Sequence, residues 1–212
     1  MKLFIYIYII LAGFAATACG AIPARHEPMT DNEKHLKAAA DLIKAFESER
    51  EPERLREASM ELENIDLRRV HDAKIRHNLR SSCLELWLTI LKTIDKNLDS
   101  SFDPKDIPQM NVTPPPLKDG TRLPPGAAPS SIDDPAARKD YEKAVTDNRA
   151  KQVNYPLQTE LRELDEIIPG KVDSFIGEAY TSSDNAEVKT LIDRIIENDS
   201  RKERLYQSIK SQ

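Results

Sequence analysis

Residues 104–135 contain nine of the fourteen prolines in this 212-residue chain. Proline has no backbone N–H and its ring clashes with the preceding helical turn, so α-helix is excluded there and extended, polyproline-like backbone is favoured. A fold of this chain must therefore use residues 104–135 as a non-helical connection between two flanking parts.

The sequence on both sides of this connection predicts α-helices. Apolar residues recur at spacings of three and four, and no segment keeps the alternation of a half-buried strand. The apolar stretch 84–94 is the most hydrophobic part of the chain after residue 26, and we expect it to form the central helix of the core. Thr30 followed by Glu33 predicts a capping box, and Asp134 before Pro135 predicts a second clear helix start.

Two further expectations concern the C-terminal helices. Pro156 should bend or end one of them, and the pair Pro169-Gly170 should break the chain, because neither residue type suits a helix interior. The highly charged tail from Asn198 to Gln212 should fray or extend as an exposed helix.

These patterns predict an all-α fold, a bundle of roughly six to seven helices with a long proline-rich connecting strap. The predicted parts are a signal peptide (1–18), a tether (19–29), an N-terminal helical half (30–103), the proline-rich strap or linker (104–135) and a C-terminal helical half (136–212).

The proline-rich segment also carries apolar side chains. A flexible linker needs few of these, so we favour an ordered strap lying across the helices, with a flexible linker as the alternative. With the flanking helices, the strap is the candidate surface for a protein partner, and four of its residues are the predicted contacts: Met110, Val112, Leu117 and Leu123.

Residues 3–18 form an uncharged, mostly apolar stretch behind Lys2, and small residues crowd its end. This order is typical of a secretory signal. The stretch has 16 residues, fewer than the ~20 that a transmembrane helix needs.

The end of that stretch, Ala16-Thr17-Ala18-Cys19-Gly20, resembles the lipobox of bacterial lipoproteins. The resemblance implies that Cys19 carries acyl chains such as palmitate and attaches the protein to a membrane of the cell envelope. Gly20, in place of an aspartate, favours the outer membrane. An Ala-x-Ala cleavage site is equally present, so a soluble periplasmic protein is the alternative.

If Cys19 is lipidated, the second cysteine, Cys83, has no partner for an intrachain disulfide. Cys83 lies on an apolar helical face, so we interpret it as a small buried hydrophobic residue.

The charge of the chain and its motifs disfavour nucleic-acid binding and metal-dependent catalysis as functions. The chain is 32% charged with a net charge of −5, which makes nucleic acid a poor candidate partner. His71-Asp72 resembles the His-Asp doublet of metal-dependent phosphohydrolases, with His35 upstream, but we interpret these as surface residues of a charged helix. We expect no metal or cofactor and treat the carboxylate clusters as solvated or capping groups.

A basic run lies at the start of the longest predicted helix. A charged outer face is the favoured interpretation, and a surface for anionic lipid or an acidic partner is the alternative. The run consists of Arg68, Arg69, Lys74, Arg76 and Arg80.

These features favour a non-enzymatic protein-binding module at the bacterial envelope, held by lipid on Cys19 and binding an unknown protein partner. A periplasmic immunity-type inhibitor of a toxin is the first alternative, since an acidic face can block a basic active site. An envelope hydrolase with an unrecognised site is the second.

Overall fold

The computed structural model of the protein describes residues 30–210, and within this range the chain forms six α-helices and no β-strand. The predicted all-α class and number of helices are confirmed. The predictions for the signal peptide, the tether and Cys19 lie outside the described residues. The helices are α1 (Asp31–Glu49), α2 (Glu53–Glu63), α3 (Ala73–Asn97), α4 (Pro135–Ala179), α5 (Asn185–Ile195) and α6 (Asp199–Lys210).

The core is built around α3, which packs against α1, α2, α4 and α5. Its apolar residues face more than one neighbour, so the second half of the helix is buried on most sides. This confirms that the stretch 84–94 forms the central helix. The residues of α3 with at most 2% exposure are Cys83, Leu84, Trp87, Leu88, Ile90, Leu91 and Ile94.

Helices α1 and α2 form a hairpin against α3. The Thr30 hydroxyl accepts a hydrogen bond from the Glu33 amide, and the Glu33 carboxylate accepts one from the Thr30 amide, so the predicted capping box is confirmed. The helix ends at Arg50, whose left-handed backbone (φ 59°) turns the chain toward α2.

Helix α4 is a single helix of 45 residues, about 67 Å long at 1.5 Å per residue. The predictions that a helix would end at Pro156 and that Pro169-Gly170 would break the chain are wrong. Each proline removes one intrahelical hydrogen bond, but around Pro169 the apolar spacing continues unbroken and holds the helix on the core. The buried residues of this face are Leu161, Leu164, Ile168, Val172 and Ile176.

The prediction that the charged C-terminal tail would fray or form an exposed helix is also wrong. The tail forms helix α6, which packs onto the bundle. Leu205 and Ile209 join the core, and Arg201 is only 3% exposed. The Arg201 guanidinium donates to Asp95 on α3 (Nη2–Oδ1 2.7 Å) and to Asp165 on α4. A single cation thus joins three helices through two carboxylates. None of the helices in residues 30–210 is long and apolar enough to cross a membrane.

Replacing Arg201 with alanine should lower the free energy of unfolding by about 3 kcal/mol, because Asp95 and Asp165 would lose the cation that compensates their partial burial. The measurement is urea unfolding followed by the circular dichroism of the helices. Arg204→Ala, an exposed arginine of the same helix, is the control and should change stability by less than about 0.5 kcal/mol. Equal losses in the two variants would contradict this role of Arg201.

Candidate functional site

The N-terminal part of α4 extends away from the core. No residue of α4 between Tyr141 and Leu161 is fully buried. This length of helix, together with the chain that connects α3 to α4, forms a projection that we call the arm (residues 99–157). Because α4 begins at Pro135, the strap as the structure has it comprises residues 104–134 of the arm.

The strap runs antiparallel to α4 and is held by side chains of one helix face. Phe102, just before the strap, stacks edge-to-face on Tyr155 with ring centroids 5.6 Å apart. Pro104, Gln109 and Val112 meet Tyr155, Asn148 and Tyr141 in turn, so the segment follows the helix for several turns. The hydrogen bonds run from Tyr155 Oη to Pro104 O (2.6 Å), Gln152 Nε2 to Met110 O (3.1 Å), and Asn148 Nδ2 to Gln109 O (2.8 Å).

Tyr141 fixes the tip of the strap. Its side chain is buried, and its hydroxyl lies 3.1 Å from the carbonyl oxygens of both Val112 and Ala127. The same Val112 carbonyl accepts the Gly126 amide at 3.0 Å. The two ends of the loop 112–127 therefore meet at one hydroxyl. Sequence analysis did not single out Tyr141.

Gly126 is required where the loop closes. Its φ of 80° lies in the left-handed region, and a Cβ there would come within 2.9 Å of Asn111 Oδ1. The loop therefore has a specific backbone conformation at Gly126.

The predicted partner-contact residues divide into two groups. Val112, Leu117 and Leu123 are half-buried within the strap, whereas Met110 is 89% exposed. Two further exposed apolar residues occur on the arm and were not predicted. They are Ile107 (70% exposed) and Val153 (73% exposed), and with Met110 they form the arm patch.

A second cluster of polar residues surrounds Arg80 at the opposite end of α4. The Arg80 guanidinium pairs with Asp184 (3.1 Å) and Glu187 (2.9 Å) and lies 4.2 Å above the centre of the Tyr180 ring. It also lies within hydrogen-bond distance of His77 Nδ1 (3.1 Å). Sequence analysis placed Arg80 in the basic run but did not identify these partners.

Two ionisable groups of this cluster have shifted pKa values. Hydrogen bonds from Thr181 and the positive charge of Arg80 lower the pKa of Asp184, so its carboxylate stays charged. Burial raises the pKa of the Tyr180 phenol, so it stays neutral.

Beside this cluster lies an open cleft with a volume of about 340 Å³. It is enclosed by the 3₁₀ turn Leu67–Arg69, the first two turns of α3 and the last turn of α4. The lining residues are Leu67, Arg68, Ala73, Arg76, His77, Arg80, Glu178 and Ala179.

The residues of the hydrolase alternative have other partners. His35 Nδ1 contacts Glu61 Oε2 at 2.6 Å, and Asp72 caps α3 by accepting the Ile75 amide at 2.8 Å. His71 is exposed. Within residues 30–210, no group of three or more His, Cys, Asp or Glu side chains could hold a metal ion.

Cys83 is fully buried and has no disulfide partner within the described residues. Burial raises the pKa of its thiol to about 12, so the reactive thiolate form is disfavoured. The interpretation of Cys83 as a small core residue is confirmed.

No family model, no curated protein and no solved structure shows significant similarity to this chain.

Replacing Tyr141 with phenylalanine should loosen the tip of the strap by about 1 kcal/mol, because the two carbonyls lose a shared donor. The amide of Gly126 should then exchange with solvent about fivefold faster, as measured by hydrogen exchange with NMR detection. Tyr155→Phe removes the bond to Pro104 instead, and should leave Gly126 protected. Unchanged exchange at Gly126 in Tyr141→Phe would contradict the role of this hydroxyl.

Proposed function

We propose that this protein is an exported, non-enzymatic binding module of the bacterial envelope, anchored by lipid on Cys19, that holds a protein partner on its arm. The export and anchoring part rests on the apolar stretch 3–18 and on the lipobox-like end at Cys19. The binding part rests on the arm.

The observation that carries the binding proposal is the arm patch. Six large apolar residues in the described part of the chain are exposed, and three of them, Ile107, Met110 and Val153, lie on the arm. Gln152, the residue before Val153 in the sequence, bonds to the Met110 carbonyl, so these exposed residues lie at the same level of the arm. A concentration of exposed apolar residues on one part of a molecule favours an interaction site there.

The construction of the arm also favours binding. The hydrogen bonds from α4 fix the strap before any partner arrives, so little conformational entropy is lost on association. Proline-rich backbone adds to this, because its conformational freedom is already restricted.

Ionisable side chains elsewhere in the described residues mostly serve structure, which favours a non-enzymatic role. Arg80 is paired with Asp184 and Glu187, and Arg201 is paired with Asp95 and Asp165. Each group stabilises helix packing.

The anchoring proposal is tested by the mass and membrane partitioning of the mature protein, with Cys19→Ser as the comparison. We expect a diacylglycerol and a fatty acid on the wild type and neither on the variant, which should also leave the membrane fraction. An unlipidated wild-type protein in the soluble periplasmic fraction would refute the anchor and leave the arm to be tested separately.

The binding proposal is tested by placing a photo-crosslinking amino acid at Met110 in cells. We expect one discrete adduct there, and its yield should fall about tenfold when Val153→Glu puts a charge into the arm patch. Met60, on α2, is 56% exposed and is the control position. The same adduct from Met60, or an adduct unaffected by Val153→Glu, would exclude the arm as the binding surface.

A further inference from the structure

The end of the bundle that contains the cleft is also the end at which the chain enters the fold. The Asn32 side chain, in the first turn of α1, donates to the Asp66 carbonyl and accepts the Asp66 amide, both at 3.2 Å. Asp66 directly precedes the 3₁₀ turn Leu67–Arg69 that lines the cleft. The eleven residues 19–29 span at most about 40 Å when extended, so a lipid on Cys19 would hold this end within about that distance of the membrane.

The arm is distant from this end. Val153 and Glu178 are 25 residues apart on the same helix, which corresponds to about 38 Å. The cleft and the arm patch are therefore separate surfaces, and one can be altered without touching the other.

The charged groups of the cleft are not equally available to a ligand. The terminal nitrogens of Arg80 bind Asp184, Glu187 and the Ala179 carbonyl, and its Nε is buried without a hydrogen-bond partner. It therefore acts as a fixed wall of the cleft rather than as a free donor.

Arg76 is different. Among the described residues, its guanidinium donates only to the Val70 carbonyl, at 3.3 Å, and no carboxylate lies within ion-pair distance. Most of its donor groups are left for a ligand.

Arg68 adds a second guanidinium at the mouth of the cleft. Its Nε pairs with Asp66 at 3.1 Å, and Arg69 pairs with the same carboxylate at 3.2 Å. Two positive charges thus share the Asp66 carboxylate, and the Glu178 carboxylate also attracts Arg68, so the uncompensated charge of the lining is that of Arg76. Glu178 is the only acidic residue of the lining, and the nearby Asp72 is engaged as the cap of α3.

This arrangement matches a phosphate group bearing an organic substituent. Guanidinium groups bind phosphate oxygens through paired, charge-assisted hydrogen bonds. Leu67, Ala73 and Ala179 add apolar surface for the substituent, and the volume of about 340 Å³ admits a group the size of a lipid headgroup.

We propose that the cleft beside Arg76 and Arg68 binds the phosphate of an anionic lipid headgroup and so docks this end of the bundle on the membrane. The lipid source rests on the proposed anchoring through Cys19; the phosphate chemistry rests on the cleft alone. Such docking would orient the arm away from the membrane surface.

The test uses the mature chain 19–212 carrying Cys19→Ser, so that neither acylation nor the apolar stretch 3–18 can hold it on vesicles. Sedimentation with phosphatidylcholine vesicles containing phosphatidylglycerol should show binding, and vesicles of phosphatidylcholine alone should not. Arg76→Ala should weaken the binding about tenfold, because it removes both a charge and a hydrogen-bonding fork. Arg149→Ala, an exposed arginine of the arm, should change it by less than about twofold.

Three results would overturn the proposal. Equal losses from Arg76→Ala and Arg149→Ala would mean nonspecific attraction to a charged surface. Saturable binding of soluble glycerol phosphate without binding to vesicles would assign the cleft to a free organic phosphate. Binding neither to the vesicles nor to glycerol phosphate would show that the cleft is not a phosphate site. All these outcomes are separable from failure of the anchoring proposal, which the mass of the wild-type protein decides.

Discussion

Burial of α3 is the constraint on which the remaining structure depends. Leu84, Leu88 and Leu91 have no exposed surface, and the helix packs against four others. A helix surrounded in this way cannot rotate or slide without exposing apolar surface on several sides at once, at about 25 cal/mol for each Å². The positions of α1, α2, α4 and α5 are therefore fixed relative to one another through α3.

Polar residues of α3 fix the position of α5 and α6 along the α3 axis. Ser81 and Arg80 bond to Glu187, Glu85 pairs with Arg194, Lys92 pairs with Glu197, and Asp95 pairs with Arg201. The residue numbers of the partners rise together with those of the α3 residues. Helix α5 and the start of α6 therefore run in the same direction as α3. Apolar contacts tolerate small shifts, whereas a series of pairs fits one register.

Much of the fold could be predicted from the sequence because it depends on local patterns. Apolar spacing located the central helix at 84–94, and the pairs Thr30–Glu33 and Asp134-Pro135 marked two helix starts. The local penalty of proline at Pro169 argues for a helix end, but the spacing of Leu164, Ile168 and Val172 crosses Pro169 without a break. In this helix, tertiary packing outweighs the local penalty of proline, and the continuous spacing was the signal that could have shown it.

The candidate sites were less predictable, since they depend on contacts between residues far apart in the sequence. Met110 was recognisable as an apolar residue in a polar, proline-rich setting. The role of Tyr141 was not, because a tyrosine on a helix face gives no sign of which backbone carbonyls it will meet. Likewise, Arg201 lies in a tail of mixed charges. The sequence alone predicts neither its burial nor its pairing with Asp95 and Asp165.

The basic run at the start of α3 shows why a charge pattern alone cannot define a binding surface. As a sequence it reads as five cations, yet Arg80 is neutralised by Asp184 and Glu187, which lie more than 100 residues later. Arg68 and Arg69 share Asp66. Arg76 differs from them only because no carboxylate is brought to it. An attractive site for an anion arises where the fold leaves a cation uncompensated beside a cleft, and at this end of the bundle that cation is Arg76.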